Sequence, residues 1–197
     1  MMIQVPQLPG FKDSVHDAQT TFRSLLEALA NPGRQCQITS LFKAPVGLNP
    51  ACAAACLTLL DLETQIWLQP TLGEDVKNWL LFHTGCRLTD KPQAADFAII
   101  NHCQSMPSLS AFKQGTDEEP EASTTLLVQV ENFESGHSVT LTGPGIKEMR
   151  SLTVKGLSSI FWEDLTKNVR NYPLGIDIFL FTTNTVVGLP RTTKLLN

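Results

Sequence analysis

The sequence predicts one α/β domain, a three-layer α/β/α sandwich built on a mixed sheet. Three observations predict it. Segments with helical apolar spacing alternate with short apolar strand segments through the first half, the order expected when helices cover the faces of a sheet. Strand-like segments cluster in the second half, which favours a mixed rather than a purely parallel sheet. The chain has 197 residues, 42% apolar and 17% charged, enough for a single sizeable core spanning residues 1–197.

The first element is a helix from about Ser14 to Ala30. Val15, Ala18, Phe22, Leu25, Leu26 and Leu29 recur at spacings of three, four and seven, so they predict one apolar face. Asp13 or Ser14 caps it, and Asn31-Pro32-Gly33 ends it, since proline cannot continue a helix and glycine accepts unusual dihedrals. A strand follows near Gln35 to Thr39. Asn49-Pro50 opens a second helix, cap then first-turn proline. Its run Ala51 to Leu60 is almost wholly apolar and therefore covered on most sides, in the core or at an interface.

Thr64 to Leu68 predicts a strand, Glu74 to Phe82 a helix ended by Gly85, and Phe97 to Ile100 a short strand. Ser108 to Lys113 suggests a short helix, and Gln114 to Ser123, with Asp117, Glu118, Glu119 and Glu121, a solvated loop. Strands are expected at Thr124 to Val130 and Ser138 to Thr142, joined by a turn at Ser135-Gly136. Ser158 to Arg170 is amphipathic, with Ile160, Phe161, Leu165 and Val169 on one side. Ile176 to Thr182 and Val186 to Leu189 complete the strands. The strand order is left open.

Charge and hydropathy exclude several classes of partner. Net charge is −4, from 15 Lys and Arg against 19 Asp and Glu, without the basic clusters that hold nucleic acid. No apolar stretch reaches membrane-spanning length. Met1 to Gly10 has no basic start and carries Pro6 and Pro9, unlike a secretory signal; the expected location is cytoplasmic. The five cysteines, Cys36, Cys52, Cys56, Cys86 and Cys103, form no C-x-x-C pair and suit reduced, small-hydrophobe use.

Side chains that could carry chemistry are few. His16, His83, His102 and His137 show no metal-ligand spacing, so no metal is expected. His83 stands at a helix end, where it serves either as a site residue or as a cation on the negative end of the dipole. Cys52 and Cys56, one helical turn apart, read as core packing. Gly143 and Gly145, after a strand, allow backbone amides to approach an anion, or they make a plain turn. Pro190-Arg191-Thr192-Thr193-Lys194 combines a planar cation, hydroxyls and an ammonium. That mix suits phosphate or phosphonate oxygens and equally a solvated tail. Arg23 and Arg34 flank the first helix as further cations or as surface ion-pair partners.

Several segments together carry a resemblance over nearly the whole chain. They are Phe22-Arg23 with Pro32-Gly33, Phe82-His83-Thr84, Leu141-Thr142-Gly143 with Gly145-Ile146, Pro173-Leu174-Gly175-Ile176-Asp177, and Pro190-Arg191-Thr192-Thr193. In order and spacing they resemble the PhnH family, a subunit of the bacterial carbon–phosphorus lyase core complex. The resemblance implies a homodimer that assembles with PhnG-, PhnI- and PhnJ-like subunits. It implies a part in forming ribose 1-alkylphosphonate 5-triphosphate from a nucleoside triphosphate and an alkylphosphonate, with no activity alone. It also implies a fold like the large domain of pyridoxal-phosphate-dependent transferases, without that or any other cofactor.

On this reading Arg191, Thr192 and Thr193 are the first candidates to grip the substrate anions, with Gly143 and Gly145 offering amides and His83 and Arg23 next. Two alternatives stand beside it: a purely structural assembly protein, and an independent transferase-like ligand-binding protein. The apolar run Ala51 to Leu60 adds to the expectation of a dimer, as area that one small domain leaves uncovered.

Overall fold

The structure, a computed structural model, describes residues 8–40 and 42–196. The expectation for Met1 to Gln7 lies outside the described residues.

Helix α1 (Ser14–Ala30) is capped by Asp13, whose carboxylate accepts from the Val15 and His16 amides. Strand β1 (Cys36–Gln37) follows. Helix α2 (Pro50–Leu59) is capped by Asn49, which accepts from the Cys52 amide at 2.8 Å. Next come β2 (Gln65–Leu68) and α3 (Glu74–Thr84), which ends at Gly85 in the left-handed region, φ 66°. Two short strands, β3 (Arg87–Leu88) and β4 (Phe97–Ile100), precede β5 (Thr125–Gln129). The remainder is β6 (Asn132–Thr142), β7 (Arg150–Lys155), α4 (Ser159–Arg170), β8 (Asp177–Phe181), β9 (Thr185–Leu189) and β10 (Lys194–Leu196).

A seven-stranded sheet runs in the order β1-β9-β8-β5-β4-β2-β3. Strands β8, β5, β4, β2 and β3 are parallel; β9 returns antiparallel to β8, and β1, antiparallel to β9, runs with the other five. The sheet is mixed, as expected. Strand alternation divides its side chains between two cores. Ile66, Ile99, Leu127, Phe179 and Phe181 face a layer of α1, α2 and α3. Trp67, Ile100, Leu126, Val128, Ile178 and Leu180 face α4 and a second, antiparallel sheet, β10-β6-β7. The third layer is thus helix plus small sheet, where an all-helical layer was expected.

Four local expectations are corrected. On α1 the buried stripe is Thr21, Leu25 and Ala28, while Val15, Phe22 and Leu26 are 73%, 50% and 56% exposed. The helix rolls this way because its backbone packs on β9 at Gly188. A Cβ there would sit 2.5 Å from the Ala28 carbonyl oxygen, so the small residue sets the contact. On α4, Ile160 is likewise exposed, and Trp162, Asp164 and Asn168 join Phe161 and Leu165 as buried.

The Ser135-Gly136 signal is a bend inside β6, not a turn joining a hairpin. Gly136 has φ 105°, and a Cβ would lie 2.7 Å from the Lys155 Cα. The strands on either side of that expected turn belong to different sheets. Finally, Ala51 to Cys56 of α2 are completely buried by this chain itself. They lie between α1, α3 and the sheet, so only Leu57 to Leu59, half-exposed at the end of the run, are left for a dimer contact.

The loop after β4 is fastened to α4 by a buried carboxylate. Asp164 accepts from the Ser108 hydroxyl at 2.6 Å, the Leu109 amide at 3.1 Å and the Lys167 ammonium at 3.0 Å. Burial pushes its pKa up, but the Ser108, Lys167 and Leu109 donors outweigh burial and hold it below the ordinary value. A carboxyl depressed in the folded state stabilises above its unfolded pKa of about 4. That contribution is lost as pH falls through the lower folded value. Asp164→Asn therefore flattens the acid limb of urea-unfolding stability between about pH 5 and pH 2, while remaining less stable at pH 7. An unchanged acid limb contradicts this assignment. Gly188→Ala is expected to cost about 1–3 kcal/mol in the same assay, because α1 must move off β9.

Candidate functional site

The candidate residues from the sequence fall in four places. Arg191 is the most constrained. Its Nε and Nη2 donate to both Asp177 oxygens at 3.3 and 2.7 Å, and Nη2 also to the Ser123 hydroxyl at 2.7 Å. Nη1 donates to the Pro120 carbonyl at 2.6 Å and the Pro173 carbonyl at 3.3 Å. A guanidinium has five N–H donors, and all five are engaged within the chain. The Arg191 amide donates to Asp177 as well, at 2.8 Å.

Thr192 and Gly143 meet beside this clamp. A Cβ on Gly143, at φ 131°, would lie 2.7 Å from the Thr192 carbonyl oxygen, so the backbones of the β6 end and the β10 approach touch there. Thr193 is buried, and its hydroxyl has no partner among the described residues. Gly145 is elsewhere, against the Ala30 carbonyl and Pro32 at the end of α1. His83 packs on Trp79 at 4.8 Å between ring centroids. Its Nε2 donates to the Leu8 carbonyl at 3.0 Å, which also accepts from the Trp79 indole at 3.1 Å. His83 thus straps the segment before α1 to α3. Arg23 is exposed on α1 and has no ion-pair partner among the described residues, whereas Arg34 pairs with Glu27 at 2.6 Å.

The Arg191 clamp also stands at the wrong end of the sheet for a ligand crevice. Asp177 begins β8 and Ser123 precedes β5. Open α/β sheets bind ligands at the carboxyl ends of their strands, where successive connections diverge. Here the divergence lies between β2 and β4. From β2 the chain crosses to β3 through α3 on the first face. From β4 it continues to β5 with Cys103, Leu109 and Phe112 packed on the second.

Residues overlooked from the sequence gather at this point. Gln69, directly after β2, is buried; its Oε1 accepts from the Asn101 and His102 amides at 3.0 and 2.8 Å. Its Nε2 donates to the His102 carbonyl at 2.9 Å and the Ser105 hydroxyl at 3.1 Å. Thr71 donates to the Asn101 side-chain oxygen at 2.5 Å. The result is a rigid loop after β4 that presents the exposed His102 ring. Each of these residues follows a segment predicted as a strand, and that position was the available signal.

The neighbouring strand ends are closed. Asn49 donates to the Gln129 side chain at 2.5 Å, Gln129 to the Gly47 carbonyl at 2.8 Å, and Ala51 to the Thr183 carbonyl at 3.1 Å. The start of α2 is therefore filled by protein.

In the strand-end cluster the buried Gln69 carboxamide is spent within the loop, and the exposed His102 imidazole is the group left to orient a ligand. Among the described residues, no three His, Cys, Asp or Glu side chains group to hold a metal. The thiols are quiet. The Cys52 contact and then burial push the Cys56 thiol well up, and burial raises Cys36, Cys86 and Cys103.

The clamp predicts that Arg191→Ala loses about 3 kcal/mol of stability, because Asp177 is left without its cation. Arg191→Lys recovers little, since an ammonium cannot reproduce the planar fork. Adding Asp177→Ala to Arg191→Ala costs less than the sum of the two single changes. Urea unfolding of the four proteins checks this, and additive losses contradict a shared clamp.

Comparison with known proteins agrees with the resemblance read from the sequence. The family model described as bacterial phosphonate metabolism protein (PhnH) matches residues 9–196. The α-D-ribose 1-methylphosphonate 5-triphosphate synthase subunit PhnH of Rhizobium meliloti (strain 1021) is 39% identical over 187 residues, 94% of each chain. The putative C-P lyase subunit protein HtxG of Stutzerimonas stutzeri is 28% identical over 179 residues, 90% of this chain and 85% of that protein. The chain belongs to the PhnH family of bacterial phosphonate metabolism proteins.

Proposed function

We propose that this chain is a subunit of a ribose 1-methylphosphonate 5-triphosphate synthase and works in phosphonate catabolism within a carbon–phosphorus lyase assembly. The observation that carries the reading is 39% identity to such a subunit along 94% of both chains. The site geometry is consistent with a subunit role. The Arg191 fork is consumed internally, and the strand-end cluster has orienting groups without an activated nucleophile. The protein supplies shape and anion-meeting donors, while partner chains of the PhnG, PhnI and PhnJ type bring the remaining chemistry. It works as a cytoplasmic homodimer before joining them. Its sheet, five parallel strands with an antiparallel return, is compatible with kinship to the large domain of pyridoxal-phosphate transferases, and it uses no cofactor of its own.

Within this reading the sequence candidates divide by task. Arg191 positions the turn that carries Thr192, Thr193 and the facing Gly143, and Gly145 and His83 hold neighbouring segments in place. Arg23, exposed on α1, meets the triphosphate or phosphonate oxygens, where charge neutralisation lowers the barrier. The reading of a purely structural subunit is favoured by the saturated Arg191 alone and makes the opposite forecast for Arg23.

Two outcomes are expected. Tagged chain co-expressed with the three partner-type subunits retains them through affinity and size-exclusion steps, whereas alone it elutes as a dimer and turns over neither nucleotide nor methylphosphonate. Failure to retain any of them, or turnover by the isolated chain, overturns the reading. Arg23→Ala leaves assembly intact and lowers kcat/KM of the assembled synthase at least about tenfold, the loss of about 1.4 kcal/mol of transition-state stabilisation. Unchanged kinetics favour the structural subunit.

A further inference from the structure

The small sheet ends in an open strand. In the order β10-β6-β7 the outer strand is β7, Arg150–Lys155, and it pairs with β6. Among the described residues no backbone group bonds to its far side.

Which of its backbone groups face outward follows from three observations. A Cβ on Gly136 of β6 would strike the Val154 carbonyl oxygen, so that carbonyl is aimed at β6. Leu152 and Val154 are 3% and 1% exposed, too little for N–H and C=O groups standing in water. Ser138 and Thr153, directly opposite each other, share a hydroxyl hydrogen bond at 2.7 Å, as suits the closer, non-hydrogen-bonded pairs of an antiparallel ladder. Main-chain bonding alternates along such a ladder. Ser151 and Thr153 are therefore the residues that turn N–H and C=O away from β6. Ser151 is exposed and Thr153 half-buried. The Lys155 carbonyl is taken by the Glu131 amide at 2.9 Å, so the open ladder ends at Thr153.

Exposed edges are usually guarded by charged side chains, proline or a bulge. Strand β7 has no proline, and the irregularity in the pairing falls in β6, between Asn132 and His137. Its two charges are spent elsewhere. Arg150 donates to the Asn31 and Pro32 carbonyls at 3.0 and 2.7 Å, and Lys155 pairs with Glu131 at 2.8 Å.

We propose that two copies of this chain pair through β7, antiparallel about a twofold axis at Leu152. The inference rests on the homodimer reading above and names its interface. The outward groups set the register. With Leu152 facing the partner's Leu152, Ser151 falls opposite the partner's Thr153, and Thr153 opposite the partner's Ser151. Each of these pairs exchanges two N–H to C=O bonds, so every outward group of both copies is satisfied at once. The two small sheets become one sheet of six strands. Met149, 66% exposed just before β7, comes opposite the partner's Lys155, whose methylene stem covers it. No like charges meet. A foreign extended segment fills the same bonds on one chain, but the second copy also covers Met149 on both.

The test is the mass of the isolated chain by light scattering. Wild type is expected as a dimer at about 100 μM, a concentration that reports contacts of modest affinity. Ser151→Lys/Thr153→Lys sets ammoniums directly opposite each other at both pairs, which disfavours cross-strand pairing, and should be monomeric with unchanged circular dichroism. Ser151→Glu/Thr153→Lys sets opposite charges at the same two pairs and should dimerise at least as well as wild type. Thr153→Pro removes one outward N–H without breaking the β6 ladder; it should also be monomeric, and serves if the double-lysine protein does not fold. A wild-type dimer that the double-lysine change leaves intact overturns this interface and spares the homodimer reading. A monomeric wild type overturns both. A Glu–Lys protein as monomeric as the double-lysine protein overturns the register and with it the proposal. So does a double-lysine protein that stays dimeric but no longer retains the co-expressed partner-type subunits, which assigns the edge to a foreign strand.

Discussion

The ion pair between Arg191 and Asp177 holds together more of this chain than any other contact described. One guanidinium gathers the loop at Pro120–Ser123, the segment at Pro173, the first residue of β8 and the turn before β10. Arginine alone among side chains offers enough coplanar donors for that task. The pair is mostly withdrawn from water, with Arg191 12% and Asp177 25% exposed, and its remaining donors find carbonyls and a hydroxyl. The small sheet depends on it, because β10 reaches β6 only after the turn that Arg191 fixes. That sheet covers the second core.

Much of the large sheet could be read from residues. Helices α1 to α4 and strands β2, β4, β5, β8 and β9 correspond to periodic segments whose ends carry local signals: Asp13 and Asn49 as caps, Gly85 as a stop. The helix-facing side of α1 was misjudged because Phe22 and Leu26 are more hydrophobic than Thr21 and Ala28. The contact is instead decided by how closely Gly188 lets a backbone approach. A side-chain scale carries no information about a missing side chain on another strand. Strand β7 went unrecognised although Leu152 and Val154 alternate with Ser151 and Thr153. Strand β10 was hidden inside a segment that reads equally well as a charged tail.

The site divides in the same way. Family motifs led to Arg191, Gly143, Gly145 and His83, and the structure gives each of them close packing or hydrogen-bonding work. Motif persistence and ligand contact are different properties, and a sequence cannot separate them when both need the same residue type. Gln69 and His102 belong to no motif. Their meaning comes from strand order, which decides that the ends of β2 and β4 adjoin where the connections diverge. Order among parallel strands is a long-range fact, set by crossovers and absent from any local window.

Both margins of the large sheet are only two residues long, β1 on one side and β3 on the other. A foreign strand laid against either margin finds too short a ladder to hold it, so end-to-end polymerisation through the sheet is disfavoured. Main-chain pairing with another chain is left to the small sheet, where β7 stands at the edge with six residues, Arg150–Lys155.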